Sequence, residues 1–469
     1  MAKKEKEVKK FGVKDQVAYL FGDVGGSFVN LYVDSYFLVF CTYVLGISSF
    51  YMGTLFLFAR VWDAINDPLI GSLPDRHKLG KSGDRFKPYI KLFMIPLALS
   101  GVMCFTNVVN FPTIWKHLWI TIAYLLYGMC YTGASMPYGS LATVATDDPI
   151  ENSKLSRARA FGGVIVGIIL SLVPQFIYDD ANNTVPTAFF AIAIIFGLCS
   201  ILAYCILVTG STERIHYDVK KEEYKFKDVI VNALHNRPLL GVMISAIGFL
   251  FYNTGFTQTC SYLFKEYYQN TSIITLATLV TMPLMLILFP FMPKLIKKVG
   301  KVGSVLYPAI IGVVISAFLF FVPISNPYIY LLINCFGVIG LMAYVLNCWS
   351  IVNDCIEYHE YKFGQRANGT LYSIYTFSRK IGSALASTFA SYSLGLIGYI
   401  SGIEQQTTEV ALRIRYLVTA VPLIANILVV VGLGLVYNLK RNDMTKIHEE
   451  VMARREAAEP AKEAEPVQA

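Results

Sequence analysis

The stretch Ala59-Arg60-Val61-Trp62-Asp63-Ala64-Ile65-Asn66-Asp67-Pro68 decides how this chain is read. It lies inside an apolar run from about 50 to 73, long enough to cross a bilayer as a helix, yet it carries four polar or ionisable side chains. On a helix Asp63 and Asp67, four apart, share one face. Arg60 stands three before Asp63 and Asn66 three after it, so all four fall on a single stripe. A carboxylate at the bilayer centre costs roughly 2.5–3.5 kcal/mol on insertion scales. Two of them one turn apart call for compensation, and a cation bound between them supplies it. The alternative is a packing ion pair between Arg60 and Asp63, but one arginine cannot neutralise two carboxylates.

The rest of the chain is equally apolar. Hydrophobic residues make up 55% and charged residues 15%, and the mean hydropathy of +0.51 lies outside the range of soluble domains. Twelve stretches of bilayer length are visible, near 16–45, 49–74, 89–108, 117–145, 158–178, 187–209, 239–264, 272–293, 304–324, 328–352, 370–399 and 412–438. This predicts an all-α membrane protein with a cytoplasmic N-terminus (1–15), a six-helix bundle (16–209), a linker (210–238), a second six-helix bundle (239–438) and a tail (439–469). The start is charged and the first apolar segment is too long for a signal h-region, so no cleaved leader is expected.

Lysine and arginine set the orientation. They crowd the N-terminus (Lys3, Lys4, Lys6, Lys9, Lys10, Lys14) and the connections holding Arg76, Lys78, Lys81, Arg85 and Lys87, then Lys220, Lys221, Lys225 and Lys227, then Lys294, Lys297, Lys298 and Lys301. The alternate connections hold little beyond Lys116 and Lys265. The positive-inside rule then puts both termini in the cytoplasm of a cell membrane. The net charge of +8 is a topology signal and implies no nucleic-acid partner. The 9 cysteines are scattered singly with no metal or redox spacing. No Ser/His/Asp set and no sizeable extramembrane domain is visible, which argues against an enzyme or a membrane sensor.

Further polar residues interrupt the spans. Asp23 shares a helical face with Ser27, Asn30 and Asp34, a face suited to a cavity unless Asp23 simply solvates at the interface. The sequence Gly71-Ser72-Leu73-Pro74-Asp75-Arg76-His77-Lys78-Leu79-Gly80-Lys81 resembles the connection between spans two and three of the major facilitator superfamily. A weaker copy, Pro293-Lys294-Leu295-Ile296-Lys297-Lys298-Val299-Gly300-Lys301, follows six spans later. That offset marks two homologous, pseudo-symmetric halves. In span four, Tyr131-Thr132-Gly133-Ala134-Ser135-Met136-Pro137-Tyr138 predicts a break or a packing kink. Arg159 opens span five, as a cavity residue or a snorkelling one. Asp354, Glu357 and Glu360 line a helix end beside His359, expected to be solvated, and they suit a gate with the basic connections. Tyr372, Tyr375, Thr376, Arg379 and Lys380 follow at three- and four-residue steps; a lysine among aromatics needs an anionic or hydroxyl-rich partner. The tail is expected to be a solvated helix fading into disorder.

Together these motifs resemble the glycoside–pentoside–hexuronide:cation symporters, the melibiose permease-like carriers of the major facilitator superfamily. The resemblance spans nearly the whole membrane region and implies uptake of a glycoside coupled to sodium or a proton, with no cofactor and a monomeric carrier. It implies a cation site at Asp63, Asn66, Asp67 and Thr132, and substrate contacts at Arg159 and Lys380. Where melibiose permease uses aspartates in helices one and four, this chain has Ser27 and Ser135. The stretches around Asp23, Pro137 and Thr376 look more like the glucuronide and xyloside carriers, so a uronide, xyloside or glucoside is expected. An amphiphile such as a lysolipid is the rival substrate class. One consequence is topological: a cysteine at Lys225 reacts with an impermeant maleimide only from the cytoplasmic side, and labelling in intact cells contradicts twelve spans.

Overall fold

The computed structural model describes residues 11–71, 73–76, 79, 84–146, 148–214, 235–364, 368–403 and 405–439, with 444, 446, 447 and 449–451 of the tail. Among these described residues, twelve helical segments long enough to cross a bilayer follow one another. They are α1 (Val13–Val39, ending in a π-helical turn, Phe40–Val44), α2 (Ser49–Gly71), α3 (Lys87–Cys104), α4 (Thr113–Ala145), α5 (Pro149–Ser171) and α6 (Pro186–Gly210). Then come α7 (Arg237–Tyr262, again with a π-helical end, Leu263–Tyr267), α8 (Ser272–Leu288), α9 (Met292–Phe321), α10 (Pro327–Gly337 and Ile339–Phe363), α11 (Asn368–Leu396) and α12 (Thr408–Val430). Eight of these qualify as membrane spans on length and composition alone. The other four are α2, which carries Arg60, Asp63 and Asp67, the 17-residue α8, and α4 and α11.

The chain divides into two compact units. The first comprises Met1–Lys220, Cys260–Leu279 and Ser387–Ile414; the second comprises Lys221–Thr259, Val280–Ala386 and Arg415–Ala469. In the first, α1 packs on α5 and α6, α3 on α4 and α6, and α2 on α4. Lipid supplies no hydrophobic drive between helices, so close backbone approach must hold them. Glycines provide it: a Cβ at Gly22 would collide with the Tyr138 ring, and one at Gly25 would sit 2.9 Å from the Tyr204 ring. Aromatic rings fill the rest, with Phe37 stacked on Tyr124 at 5.0 Å and Tyr32 against Phe105 at 4.3 Å. Leu202, Ile114 and Phe161 face outward, as lipid contact requires.

Helix ends are capped by charge. Glu213 accepts hydrogen bonds from the backbone N–H groups of Arg85 (2.7 Å), Phe86 (2.9 Å) and Lys87 (2.9 Å), so its carboxylate closes the positive end of α3. Next to it, Arg214 donates to Asp15 at 2.8 Å and to the carbonyl of Ala145 at 3.1 Å, tying the starts and ends of α1, α4 and α6. The expected linker therefore has its first residues docked on the first unit; 215–234, Lys225 included, lie outside the described residues.

In the second unit α9 packs on α10. The basic repeat is itself helical until Gly300, whose φ of 81° and ψ of 170° break it from the following span. Arg415, 2% exposed, donates to the carbonyls of Leu319 (3.2 Å), Phe320 (3.2 Å) and Val322 (3.4 Å) and so caps the C-terminal end of α9. Gly364, at φ 67°, ends α10 in the left-handed conformation. His359 is fully buried, its ring 4.7 Å from that of Phe363, because the α10 end packs within the unit rather than standing in water. α4 runs unbroken through Pro137, and Gly133 faces the Phe93 ring, so this stretch is a packing surface. Replacing Arg415 by methionine keeps the bulk and removes the cap. A hydrogen bond from a charged donor is worth about 1.5–3 kcal/mol, so unfolding in detergent should show a loss of about 3 kcal/mol.

Candidate functional site

The stripe expected on α2 is present, and it faces α4. Thr132 donates its hydroxyl to Asp67 Oδ1 at 2.7 Å; both residues are buried. Asn66 is 5% exposed, and its Nδ2 has no hydrogen-bond partner among the described residues. A buried amide without a partner is uncommon, and its oxygen and nitrogen ends differ only by a flip. Asp63 approaches α4 at Gly128, where an added Cβ would lie 3.3 Å from Asp63 Oδ1. Arg60 Nη1 stands 3.5 Å from Asp63 Oδ2, with both side chains about three-quarters buried (26% and 22% exposed). Asp63, Asn66, Asp67 and Thr132 thus belong to two adjacent helices of one unit, an oxygen-rich set of the kind a hard cation takes.

A second polar run lies along α1. Asp23, Ser27, Asn30 and Asp34 keep exposed surface along α1, with Leu31 partly exposed between them. Asp23 Oδ1 pairs with Arg159 Nε at 3.2 Å, and Ser27 Oγ donates to Asp23 Oδ2 at 3.3 Å. The close approach of α5 makes this reach possible: a Cβ at Gly162 would stand 2.7 Å from the Leu20 carbonyl. Arg159 lies over the Tyr138 ring at 5.2 Å and stays half exposed, at 50%. Ser135 is part-buried on α4, three residues beyond Thr132. Farther along, Tyr127 donates to Asn30 Oδ1 at 2.7 Å and Asn30 Nδ2 to Asp34 Oδ2 at 3.0 Å.

The remaining candidates lie elsewhere. Tyr375 is fully buried in the second unit, its hydroxyl 3.1 Å from that of Tyr344 and its ring edge-on to Trp349. Thr376 is part-buried and Lys380 exposed on the same helix. Arg379 covers the Trp349 ring at 5.7 Å. Asp354 accepts from Lys301 at 2.7 Å, joining α10 to the basic repeat, while Glu357 and Glu360 are part-buried farther along α10. Asp75 and Arg76 fall in a short helical turn, Leu73–Arg76. Their side chains, like that of Tyr372, lie outside the described residues. Glu213, Arg214 and Arg415 escaped sequence reading. A charged residue inside an apolar span was the available signal for Arg415; the other two sit among linker charges.

Polar and charged side chains paired inside bilayer-length helices suit a multi-pass membrane carrier. The chain belongs to the MFS/sugar transport protein family, whose model matches residues 18–441. It is 28% identical to a putative 2,3-dihydroxypropane-1-sulfonate exporter of Salmonella typhimurium (94% of this chain and 96% of that one). It is 26% identical to the glucuronide carrier protein homolog of Escherichia coli (87% and 88%). Its fold resembles the inward-open xylose transporter XylE from E. coli, with a TM-score of 0.62 at 13% identity, over 93% of this chain and 98% of that one. The protein is therefore a transporter, not an enzyme, and such carriers need no cofactor. Because Arg159 is half exposed, its pair with Asp23 is weakened by solvent. A double-mutant cycle with Asp23→Asn and Arg159→Gln should give a thermal-stability coupling of about 1 kcal/mol or less.

Proposed function

We propose that the protein is a sodium-coupled symporter that imports an anionic glycoside, foremost a uronide, across the cell membrane by alternating access, with both termini cytoplasmic. Asp67, Thr132 and Asn66, buried where α2 meets α4, with the part-buried Asp63 on the same face of α2, carry the reading. Thr132 spends its proton on Asp67, which leaves its oxygen lone pairs and the carboxylates for a cation. A proton shared by the carboxylate pair is the simpler alternative. It needs neither Asn66 nor Thr132, so their presence favours sodium.

Arg159 supports the substrate assignment. It keeps half its surface open, and a charge-assisted bond to a carboxylate or sulfonate would replace its contact with Asp23. The two relatives above are named for anions, a glucuronide and a sulfonate. One of them is named an exporter; coupling to inward sodium flow favours import here. Lys380, exposed on α11, enters as a second substrate cation from its spacing among aromatic residues in the sequence and from the resemblance.

The test is uptake into proteoliposomes with and without an inward sodium gradient, inhibited by p-nitrophenyl β-glucuronide, β-glucoside or β-xyloside. A charge-assisted bond of roughly 1.5–3 kcal/mol makes the uronide about tenfold the better inhibitor. Equal inhibition removes the uronide and leaves the symporter. Asp67→Asn should abolish concentrative uptake, and accumulation at the parental level would place the cation elsewhere.

A further inference from the structure

The lysine count places Lys265 in an outer connection, yet its side chain is 5% exposed, and that of neighbouring Glu266 is 3% exposed. Both belong to the π-helical end of α7. Glu266 is held from three sides. Tyr43, in the π-helical end of α1, donates its hydroxyl to Oε1 at 2.8 Å. The backbone N–H of Gln406, in the connection from α11 to α12, donates to Oε2 at 2.9 Å. Lys265 Nζ stands 3.5 Å from Oε1 and 4.2 Å over the Tyr43 ring.

Neutral contacts close around this charge. Tyr262 stacks on Tyr43 at 5.2 Å, and its hydroxyl is 2.6 Å from Thr42 Oγ1. Tyr399 stands edge-on to both rings, at 5.8 and 5.3 Å. Gly402 N–H donates to the Thr42 carbonyl at 2.9 Å. All of these residues lie in the first unit, at the ends of α1 and α7 and in the α11–α12 connection, which the lysine count turns outward.

We propose that Glu266 is a latch that holds the outer ends of α1, α7 and the α11–α12 connection together, and that the carrier opens outward by parting Glu266 from Tyr43 and from the Gln406 N–H. Lys265 immediately precedes Glu266 in sequence, so the counter-charge travels with α7 and opening strands no bare charge. Glu266 loses its bonds from Tyr43 and Gln406 on opening, and the Lys265 contact with the Tyr43 ring and the bonds of Tyr262 and Gly402 to Thr42 part with them. Water reaching the freed ion pair offsets part of that loss, because a buried pair has given up hydration to form. The latch is thus a nearly balanced two-state element, and it depends on neither the sugar nor the coupling ion.

The test reads a reporter cysteine, Leu31→Cys, on the partly exposed side of α1, with the parent protein as the background for the native cysteines. An impermeant methanethiosulfonate is added to right-side-out or inside-out vesicles, and only the membrane-inserted protein is counted. Tyr43→Phe removes one hydroxyl and no charge; Glu266→Gln removes the ion pair. Each should speed labelling from outside about tenfold or more, the equilibrium shift for losing one bond to a charged group. Each should also slow labelling from inside. A rise on both sides means general loosening and overturns the latch. So does external labelling within about twofold of the parent in both variants, whatever the substrate proves to be.

Discussion

A charge inside hydrocarbon has to be met within the protein, and this demand organises the interior. Asp67 is met by Thr132, Asp63 by Arg60, Asp23 by Arg159 and Glu266 by Lys265. None of these pairs is a strong source of stability, since burial removes hydration almost as fast as attraction returns it. Their value lies in position. Thr132–Asp67 and Arg159–Asp23 each fix the register of two helices, Arg60–Asp63 and Lys265–Glu266 each neutralise charge within one helix, and glycine–aromatic contacts supply the adhesion that lipid does not.

Much of this was legible in the sequence because a bilayer leaves few choices. A span must satisfy its own backbone, so a long apolar run is a helix, and twelve such runs give twelve helices. The α2 stripe was legible for the same reason: spacing of three and four on a certain helix fixes the face, and Asp67 does point at α4 where Thr132 waits. What escaped depends on distant partners. Glu213 reads as a linker carboxylate until Arg85–Lys87, 126 to 128 positions away, bring it three N–H groups. Lys265 counts as a loop lysine until Glu266 and Tyr43 bury it. His359 looks solvated because its neighbours are charged, yet the ring turns inward onto Phe363. Proline and glycine in α4 left a break and a packing role both open; the helix runs through both, with Gly133 making room for Phe93.

The two halves announced by the repeated basic connection also share a less visible trait. The first helix of each, α1 and α7, ends in a five-residue π-helical turn. Such turns are rare and tend to mark functional places. Tyr43 and Glu266 each lie inside one of these turns and bond to each other across them.

The glycines of α1 carry a mechanical consequence. With Gly22 seated on the Tyr138 ring, Gly25 on Tyr204, and Ser200 bonded to the Gly25 carbonyl at 2.6 Å, α1 is keyed into α4 and α6 and cannot roll about its axis. The polar run from Asp23 to Asp34 therefore has no freedom to turn by itself. Whatever tilts that run tilts the surrounding helices with it, as a tooth turns its gear.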